Sequence, residues 1–430
     1  MAPIAVDSRQ ANWARREANV VRSRKLAVAV VITASSLVVA GCGSKKEATT
    51  AGATSSGTLA IGASLTLTGK LAREGLLTKE GYQLCQEKVN AKGGVDIGGK
   101  KAKLDIQYQD DTSKPDVAAQ LVDQFNDKGV KLILSSYGSA NTEAQAAVIE
   151  RNGQVMVDSA GADNKIFSKG YKRTFAVLSP ATEYASAIVK AIDELATPKP
   201  KTVVFLSADD GFSKTVTEGG MKTAKELGFT VLDAEYFPNG ASDVSSALTK
   251  VKGKKPDVII GSVHLVEGVA IIKQAKELGV TPAGFGETVA PPTPDFAKSL
   301  GPLAENVLGS SQWTDVTAGE DKYFGTAKAY AADIQAKFGH PAQYHNAEAT
   351  AGCLAFVLAV EKAGSSDVDK VRDALSALDT ESFFGKIKFD ATGQNTFKPM
   401  SVIQIQNGKA VSVWPKDSAE AKMIWPGSKQ

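Results

Sequence analysis

The sequence predicts an α/β protein built from two doubly wound lobes, each with a parallel sheet. From Thr58 onward, short β-rich runs alternate with longer helical periods, and the same rhythm restarts at Thr202. Alternating strands and helices form parallel sheets covered by helices on both faces. The chain of 430 residues is also longer than one hydrophobic core usually supports. Two lobes of similar size are therefore expected.

The first series of elements accounts for one lobe, since its strands and helices alternate. Gly93 and Gly94 close the first helix, and Pro115 stands just before the second. The predicted strands are Thr58–Ser64, Leu104–Tyr108 and Val130–Leu134, and the predicted helices are Gly75–Asn90, Val117–Asn126 and Thr142–Arg151.

The second series repeats this pattern and is followed by a helical segment and a hairpin. Its predicted strands are Thr202–Leu206, Thr230–Tyr236 and Val258–Gly261, and its predicted helices are Lys214–Leu227, Val244–Val251 and Glu267–Leu278. Further helices are expected at about Asp321–Phe338, Glu348–Lys362 and Val368–Leu378. The strand-like runs Ser401–Gln406 and Ala410–Trp414 flank Asn407-Gly408, which is a strong hairpin signal.

The N-terminal region contains an apolar run from Leu26 to Val39 that follows a cluster of Arg and Lys. A transmembrane helix needs about 20 apolar residues, so this run is too short to be one. The run ends in small residues before Cys42, as in an export signal. Val39-Ala40-Gly41-Cys42 resembles the lipobox of bacterial lipoproteins. The resemblance implies that residues 1–41 are a signal peptide and that Cys42 carries a lipid anchor.

Residues 42–57 are expected to form a flexible tether between this lipid and the first lobe. Gly43–Gly57 is rich in Ser, Thr, Gly and Ala and lacks large apolar residues. A coil of this composition has an end-to-end distance of roughly 20 Å.

Charge and cysteine content exclude some classes of function. Residues 1–41 carry six basic and two acidic residues, a net charge of +4, so the formal charge of +3 falls to −1 without them. A nearly neutral chain lacks the basic surface of a nucleic-acid-binding protein. Cys85 and Cys353 each lie in a helical pattern, which favours buried free thiols over a disulfide, although export permits pairing.

The sequence lacks the short motifs of common catalytic and cofactor sites. It has no GxxxxGK[ST] loop, no GxGxxG after the first strand, no GxSxG and no HExxH. Its three histidines, His264, His340 and His345, lack the spacing of metal ligands, and His340 and His345 are interpreted as surface or hinge residues. We therefore predict a protein that is not an enzyme and has no cofactor or metal. A hydrolase with an unfamiliar constellation is the remaining alternative.

Several segments, in order, resemble one family over Thr58 to about Trp414. They are Leu67–Ala72, Asn90–Gly94, Tyr108–Asp111, Tyr137–Thr142, Ser159–Ala162 and Phe384–Asp390. The chain resembles the type I periplasmic binding proteins that serve branched-chain amino-acid ABC transporters. The resemblance implies a monomer that binds one small molecule between its lobes, closes around it and presents it to the permease. An extracytoplasmic sensor using the same cleft is the alternative.

The resemblance also implies how the lobes are divided. Three crossovers would lie near Leu178–Pro180, Gly309–Trp313 and Phe384–Lys388. The first lobe would then contain residues 58–178 and 312–385, and the second would contain residues 179–311 and 386–430.

The loop at Tyr137–Thr142 is the strongest ligand-binding candidate. It follows a predicted strand and begins a helix, where a doubly wound sheet binds ligands. Gly138 allows a close approach of the backbone, and Ser139 can donate to a carboxylate. The alternative is that Ser139 and Asn141 only cap the helix.

The family's pattern assigns further site residues. Ser139 and the Ala160 carbonyl correspond to the carboxylate and ammonium positions of a bound amino acid. Glu287 falls near the acidic residue that pairs with the ammonium group, and Trp313 either stacks on the ligand or packs the hinge. The full expected set is Glu74, Tyr137, Gly138, Ser139, Ala160, Ala162, Phe212, His264, Glu287 and Trp313.

Departures from the family's pattern widen the range of expected ligands. Ala162 replaces a usual Thr, Glu74 replaces an aromatic residue, and Phe212 and His264 replace tyrosines. The ligand is therefore expected to be a branched-chain or other amino acid, an amide or a small aromatic acid.

Overall fold

A computed structural model describes residues 57–427. The predicted signal peptide, Cys42 and nearly all of the predicted tether lie outside this range. Within residues 57–427, no helix is both long enough and apolar enough to cross a lipid bilayer.

The first sheet has six strands in the spatial order β2-β3-β1-β4-β5-β6. They are β1 (Thr58–Leu65), β2 (Val95–Ile97), β3 (Lys100–Asp110), β4 (Leu132–Leu134), β5 (Val155–Asp158) and β6 (Thr174–Ala176). All neighbouring pairs are parallel except β2 with β3. Three helices follow its strands: α1 (Ala72–Ala91), α2 (Pro115–Asp127) and α3 (Ser139–Asn152).

The second sheet begins with five parallel strands that alternate with helices. The strands are β7 (Thr202–Ala208), β8 (Thr230–Phe237), β9 (Val258–Ser262), β10 (Gly284–Glu287) and β11 (Leu308–Ser311). The helices are α4 (Thr182–Leu195), α5 (Gly211–Glu226), α6 (Ser245–Lys254), α7 (Leu265–Leu278) and α8 (Pro294–Leu300). The prediction of two parallel sheets is confirmed.

The segment after β11 returns to the first sheet. It contains two short antiparallel pairs, β12 (Glu320–Asp321) with β13 (Gly325–Thr326) and β14 (Asp379–Thr380) with β15 (Ile387–Lys388). Its helices are α9 (Ala327–Phe338), α10 (Tyr344–Ala363) and α11 (Val368–Ser376). Helix α10 packs against α1, β2 and β5.

The chain ends in a hairpin that completes the second sheet. β16 (Ser401–Gln406) pairs antiparallel with β11 and with β17 (Lys409–Trp414), which gives the order β17-β16-β11-β10-β9-β7-β8. Asn407 and Gly408 both have positive φ, as a type I′ turn requires. The hairpin predicted from Asn-Gly is confirmed. We refer to each sheet with the helices packed on it as lobe 1 and lobe 2.

Three stretches of chain cross between the lobes and meet at a hydrogen-bonded hinge. The Ser179 N–H donates to Gln312 Oε1 at 3.0 Å, and Gln312 Nε2 donates back to the Ser179 carbonyl at 3.0 Å. The Ser179 hydroxyl donates to the Lys398 carbonyl at 2.9 Å. The third crossing thus lies near Lys398, after β15, and the position predicted near Phe384–Lys388 is too early. The two-residue strand β15 still pairs with β14, which delays the crossing.

Cys85 and Cys353 form a disulfide, contrary to the favoured prediction of free thiols. They lie on α1 and α10, which pack side by side, and their Cα atoms are 6.3 Å apart. This separation is in the range that a disulfide spans. The pairing depends on a contact between helices 268 residues apart, and the helical pattern around each cysteine does not contain that information.

Candidate ligand-binding cleft

A cavity of about 610 Å³ lies between the lobes and is lined by residues of both. This volume is within the range of small-molecule sites. Lobe 1 contributes the ends of its strands and the first turns of its helices, and lobe 2 contributes the corresponding parts of its own sheet. The carboxyl ends of parallel strands are where doubly wound sheets bind ligands.

The N-terminus of α3 forms one wall of this cavity. Gly138 precedes the helix with a φ of 95°, a conformation that favours glycine. Its N–H donates to the Ala160 carbonyl at 3.2 Å. The Ser139 Oγ accepts the N–H of Asp163 at 3.1 Å, so its own proton is available for another acceptor.

Ser139 and Asn141 do not cap α3. The position before the helix is Gly138, and among residues 57–427 no side chain accepts a hydrogen bond from the backbone N–H groups of the first turn. The alternative that these residues are only helix caps is therefore wrong. The free backbone N–H groups of the first turn, together with the helix dipole, can bind an anion.

Asp158, at the end of β5, fixes the loop that carries Ala160 and Ala162. Its Oδ1 accepts the N–H groups of Ala160 and Gly161 at 3.0 and 2.8 Å. Burial raises the pKa of Asp158 to about 7, although the backbone N–H groups of Ala160 and Gly161 oppose this shift. The loop also packs closely, because a Cβ on Gly161 would lie 2.6 Å from Thr142.

Three neighbouring aromatic side chains of lobe 2 line the cavity. Phe212 lies in the first turn of α5, and His264 directly precedes α7. The Phe212 ring is perpendicular to Tyr184 at 5.3 Å and lies 5.4 Å from the His264 ring. The three rings form an aromatic surface that can contact a ligand.

Helix α10 adds Tyr344 and Glu348 to the cavity lining, and neither was predicted from the sequence. Glu348 is only 2% exposed, and its Oε2 has no hydrogen-bond partner within the part of the chain that the structure describes. Burial raises the pKa of the Glu348 carboxyl well above its ordinary value, and the charge of Asp158 adds to this effect. The available sequence signal was a lone carboxylate among small and apolar residues between Ala347 and Val360.

Two polar contacts join the lobes across the cleft. Arg73 Nε donates to Asp295 Oδ2 at 2.6 Å, and its other nitrogens bond Glu74 and Gln343. The Thr215 hydroxyl donates to Asp163 Oδ1 at 2.8 Å. These contacts bring residues of both lobes together around the cavity.

Comparison with known proteins identifies the family. A model of the family described as periplasmic binding protein matches residues 58–410. This chain belongs to the periplasmic binding protein family. Membership places the protein outside the cytoplasm and among solute-binding proteins.

The periplasmic binding protein is similar to curated relatives over nearly their full length. The Leu/Ile/Val-binding protein homolog 7 of Brucella melitensis biotype 1 is 25% identical over 394 residues, which cover 87% of this chain and 96% of the relative. Homolog 8 of Brucella abortus is 25% identical over 375 residues, covering 83% and 90%.

Solved structures share the fold. The leucine-binding protein LivK of Thermotoga maritima has a TM-score of 0.73 at 23% identity and covers 83% of this chain and 97% of its own. LivJ of Streptococcus pneumoniae, in complex with isoleucine, has a TM-score of 0.71 at 22% identity and covers 86% and 100%. A solute-binding protein of R. palustris, in complex with benzoate, has a TM-score of 0.69 at 17% identity and covers 86% and 98%. The predicted type I periplasmic binding protein fold is confirmed.

Eight of the ten predicted site residues of this binding protein line the cavity. They are Glu74, Tyr137, Gly138, Ser139, Ala160, Ala162, Phe212 and His264. The structure therefore brings them together, and their contact with a ligand stays a prediction.

Glu287 and Trp313 lie outside the cavity lining. Glu287 is fully buried behind α7, where its Oε2 would be 2.5 Å from a Cβ on Gly268. The indole N–H of Trp313 donates to the Phe383 carbonyl at 3.0 Å, and its ring packs edge-on against Tyr330. Trp313 therefore packs the hinge, and Glu287 does not reach the ligand space.

His345 is buried, although the sequence indicated a surface or hinge position. Its ring lies 3.9 Å from Tyr344 and 5.4 Å from Tyr137, so it supports the wall rather than lining it. Burial lowers the His345 pKa well below its ordinary value. Among the described residues, no group of three or more His, Cys, Asp and Glu side chains could hold a metal ion.

Proposed function

We propose that this periplasmic binding protein captures one small solute in the cleft by hinge closure and delivers it to an ABC permease. The solute is a branched-chain or other amino acid, or a related amide or carboxylate. The protein itself performs no chemistry. The observation that carries the proposal is a cavity enclosed by both lobes, with the free N-terminus of α3 and an available Ser139 proton in its wall.

The wall at α3 supports a carboxylate as one end of the solute. A carboxylate can accept hydrogen bonds from the Ser139 hydroxyl and from backbone N–H groups of the first turn. The aromatic surface of Tyr184, Phe212 and His264 can contact the rest of the molecule. Such a combination of a few polar groups with aromatic walls is typical of small-molecule sites.

The relatives support this class of ligand. The Brucella relatives are named as Leu/Ile/Val-binding protein homologues, and solved neighbours contain isoleucine or benzoate. All of these ligands carry a carboxylate. A water-excluding cleft that closes on such a group gives micromolar binding or better, which corresponds to about −8 kcal/mol.

Mass spectrometry of the purified protein tests this function. Under non-denaturing conditions, we expect one bound small molecule per chain. Denaturation should release a compound with a carboxylate or amide, and re-addition should restore the bound mass with the compound chemically unchanged after prolonged incubation. Conversion of the compound into a product would contradict a binding role and support a hydrolase.

The proposal includes a lipid anchor on Cys42 that holds the protein at the cell membrane. It rests on the apolar run and the small residues before Cys42 in the sequence. A Cys42→Ser variant should leave the membrane fraction and retain ligand binding. Sedimentation of this variant with membranes to the wild-type extent would contradict the anchor.

A further inference from the structure

The charges around the cleft favour a cationic group on the solute. The cavity lining contains six carboxylate side chains and only two cationic side chains, Lys70 and Arg73. Arg73 is engaged by Asp295, Glu74 and Gln343, so it is not free to balance the others. An excess of one sign of charge in a cleft attracts the opposite sign.

Five of these six carboxylates already have partners in the protein. Glu74 pairs with Arg73, and Glu143 pairs with Lys169 at 2.5 Å. Asp163 accepts the Thr215 hydroxyl, Asp210 accepts the Ser213 N–H at the start of α5, and Glu267 accepts the Gly240 N–H. Within residues 57–427, Glu348 is the member of this set for which no hydrogen bond or ion pair is found.

Lys398 does not form an ion pair with the Glu348 carboxylate. The charge of Lys398 lowers the Glu348 pKa, but the Lys398 Nζ donates to the Gln312 carbonyl and lies 4.5 Å from the centre of the Phe384 ring. A buried carboxylate without a direct partner is costly, so a ligand that supplies one is stabilised there.

The surroundings of Glu348 also suit a cation. Tyr137, Tyr184, Phe212 and Tyr344 all line the same cavity. Burial raises the pKa of Tyr344, and the charge of Glu348 is one of the further causes, so the two groups are near each other. Aromatic rings attract cations over their faces and exclude water from the contact.

We infer that Glu348 binds the ammonium group of the solute, so that the cleft selects molecules carrying both a carboxylate and a cationic nitrogen. The inference rests on the proposed function and narrows its ligand class to amino acids and similar zwitterions. It also assigns to α10 of lobe 1 the role that the sequence gave to Glu287 of lobe 2. Burial raises the pKa of Glu348, with Asp158 adding to the effect and Lys398 opposing it, and a cation beside the carboxylate favours its ionised form.

Calorimetric titrations with matched ligand pairs test this inference. The probes are L-leucine with 4-methylpentanoate, and L-phenylalanine with 3-phenylpropanoate, since each pair differs only in the amino group. The wild-type protein should bind at least one amino acid and bind its counterpart without the amino group roughly 10- to 100-fold more weakly. The Glu348→Gln variant should lose a similar factor for the amino acid and almost none for the counterpart.

A control on the same helix separates this effect from damage to α10. Glu361→Gln removes a carboxylate about 20 Å further along α10, where Glu361 pairs with Lys322, and should leave both affinities unchanged. Thermal unfolding of each variant reports whether the fold is retained. If Glu348→Gln lacks a stable fold, the discrimination between paired ligands by the wild-type protein decides the question.

The outcomes distinguish this inference from the proposed function. Equal affinity of the wild-type protein for both members of a pair would overturn the role of the ammonium group. Unchanged amino-acid affinity in a folded Glu348→Gln variant would overturn the role of Glu348. In both cases the proposed function would stand. Failure of the wild-type protein to bind any probe would overturn the inference, and the co-purified molecule would then decide the proposed function alone.

Discussion

At the scale of single residues, the Ser139 hydroxyl is positioned to donate a hydrogen bond to a ligand in the cleft. Its oxygen is occupied by the Asp163 N–H, and Asp163 is in turn bonded by Thr215 of lobe 2. Within residues 57–427 the Ser139 hydroxyl donates to no protein acceptor, so its proton is available to a ligand. This arrangement connects the proposed carboxylate contact to a residue that also touches the opposite lobe.

A Ser139→Ala variant should bind its solute more weakly by roughly 1–3 kcal/mol, the usual cost of losing a hydrogen bond to a charged group. Isothermal titration of both proteins with the co-purified solute measures this difference. Ser168→Ala, an exposed serine of the same lobe that lies outside the cavity lining, serves as the control. Equal affinities of Ser139→Ala and wild type would show that Ser139 does not contact the ligand.

The raised pKa of Asp158 should make the free energy of unfolding depend on pH. Its pKa is raised to about 7 in the folded protein, chiefly by burial, against an ordinary value of about 3.9 when unfolded. Between these values the folded state binds more protons than the unfolded state, so this contribution to stability is present at low pH and is lost as the pH rises through about 7.

Urea unfolding of wild type and Asp158→Asn from pH 5 to pH 8 measures this contribution. The amide cannot ionise, so the variant should lose less stability than wild type over this range, with the difference on the order of a few kcal/mol. The raised pKa of Glu287 has other causes and affects both proteins alike. Loss of the Asp158 charge also removes part of the upward shift of the Glu348 pKa, which changes the variant in the same direction. Parallel stability curves for the two proteins would contradict the raised pKa of Asp158.

At the scale of elements, α1 and α10 form a cross-linked pair beneath the cleft. α1 carries Glu74 and α10 carries Glu348, and the Cys85–Cys353 disulfide joins the two helices. Asn346 of α10 also donates to the Leu77 carbonyl of α1 at 2.9 Å. The disulfide therefore restrains the two helices of lobe 1 that carry Glu74 and Glu348 into the cavity lining.

Replacing both cysteines by alanine should lower the free energy of unfolding by about 2–5 kcal/mol, since the cross-link closes a long loop in the unfolded chain. Chemical denaturation of the variant and of wild type, with and without reductant, measures the change. Reductant should destabilise wild type toward the variant and leave the variant unaffected. An equally stable double variant would contradict the disulfide.

The elements that could be predicted from the sequence are those with a strong local signal. Strand β1 and the Asn407-Gly408 hairpin were predicted close to their observed positions, and the centre of β3 was predicted although the strand extends further at both ends. The short strands β5, β6, β10 and β11 were missed, because runs of three or four mostly buried residues are too short to show a distinguishing period. Helix α9 was predicted to start too early, because Gly325 has positive φ and Thr326 caps the helix, accepting the Ala329 N–H.

Helix α4 was also missed, and so were the site residues of α10. Helix α4 is amphipathic, with Lys190, Asp193 and Glu194 on its less buried side, so the sequence does carry a helical signal there. Tyr344 and Glu348 belong to a helix that is distant in sequence from the other cleft residues. Local motifs identified the loops at Tyr137–Thr142 and Ser159–Ala162, whereas the side chains that face them depend on how α10 packs on lobe 1.

At the scale of the whole molecule, the lobes are held by a hinge of buried hydrogen bonds and meet through few polar contacts at the cleft. The hinge involves Ser179, Gln312 and Lys398, one from each crossing. The Arg73–Asp295 pair across the cleft is partly exposed, and such pairs contribute at most about 1 kcal/mol. A bound solute that contacts both lobes can therefore decide whether the cleft is closed.

Ala140 offers a direct way to block the cleft without disturbing a core. It lines the cavity, lies in the first turn of α3 and has an exposed side chain. A tryptophan at this position would extend into the space proposed for the solute. Circular dichroism and thermal unfolding should match those of wild type, because no buried contact is removed.

Isothermal titration of wild type and Ala140→Trp with amino acids, amides and small aromatic acids tests the central claim most directly. We predict that at least one of these compounds binds wild type with one site per chain and micromolar or tighter affinity, and that the folded Ala140→Trp variant gives no binding heat with it. Absence of binding to wild type by every compound, or equal binding by the variant, would contradict capture of a small solute between the lobes.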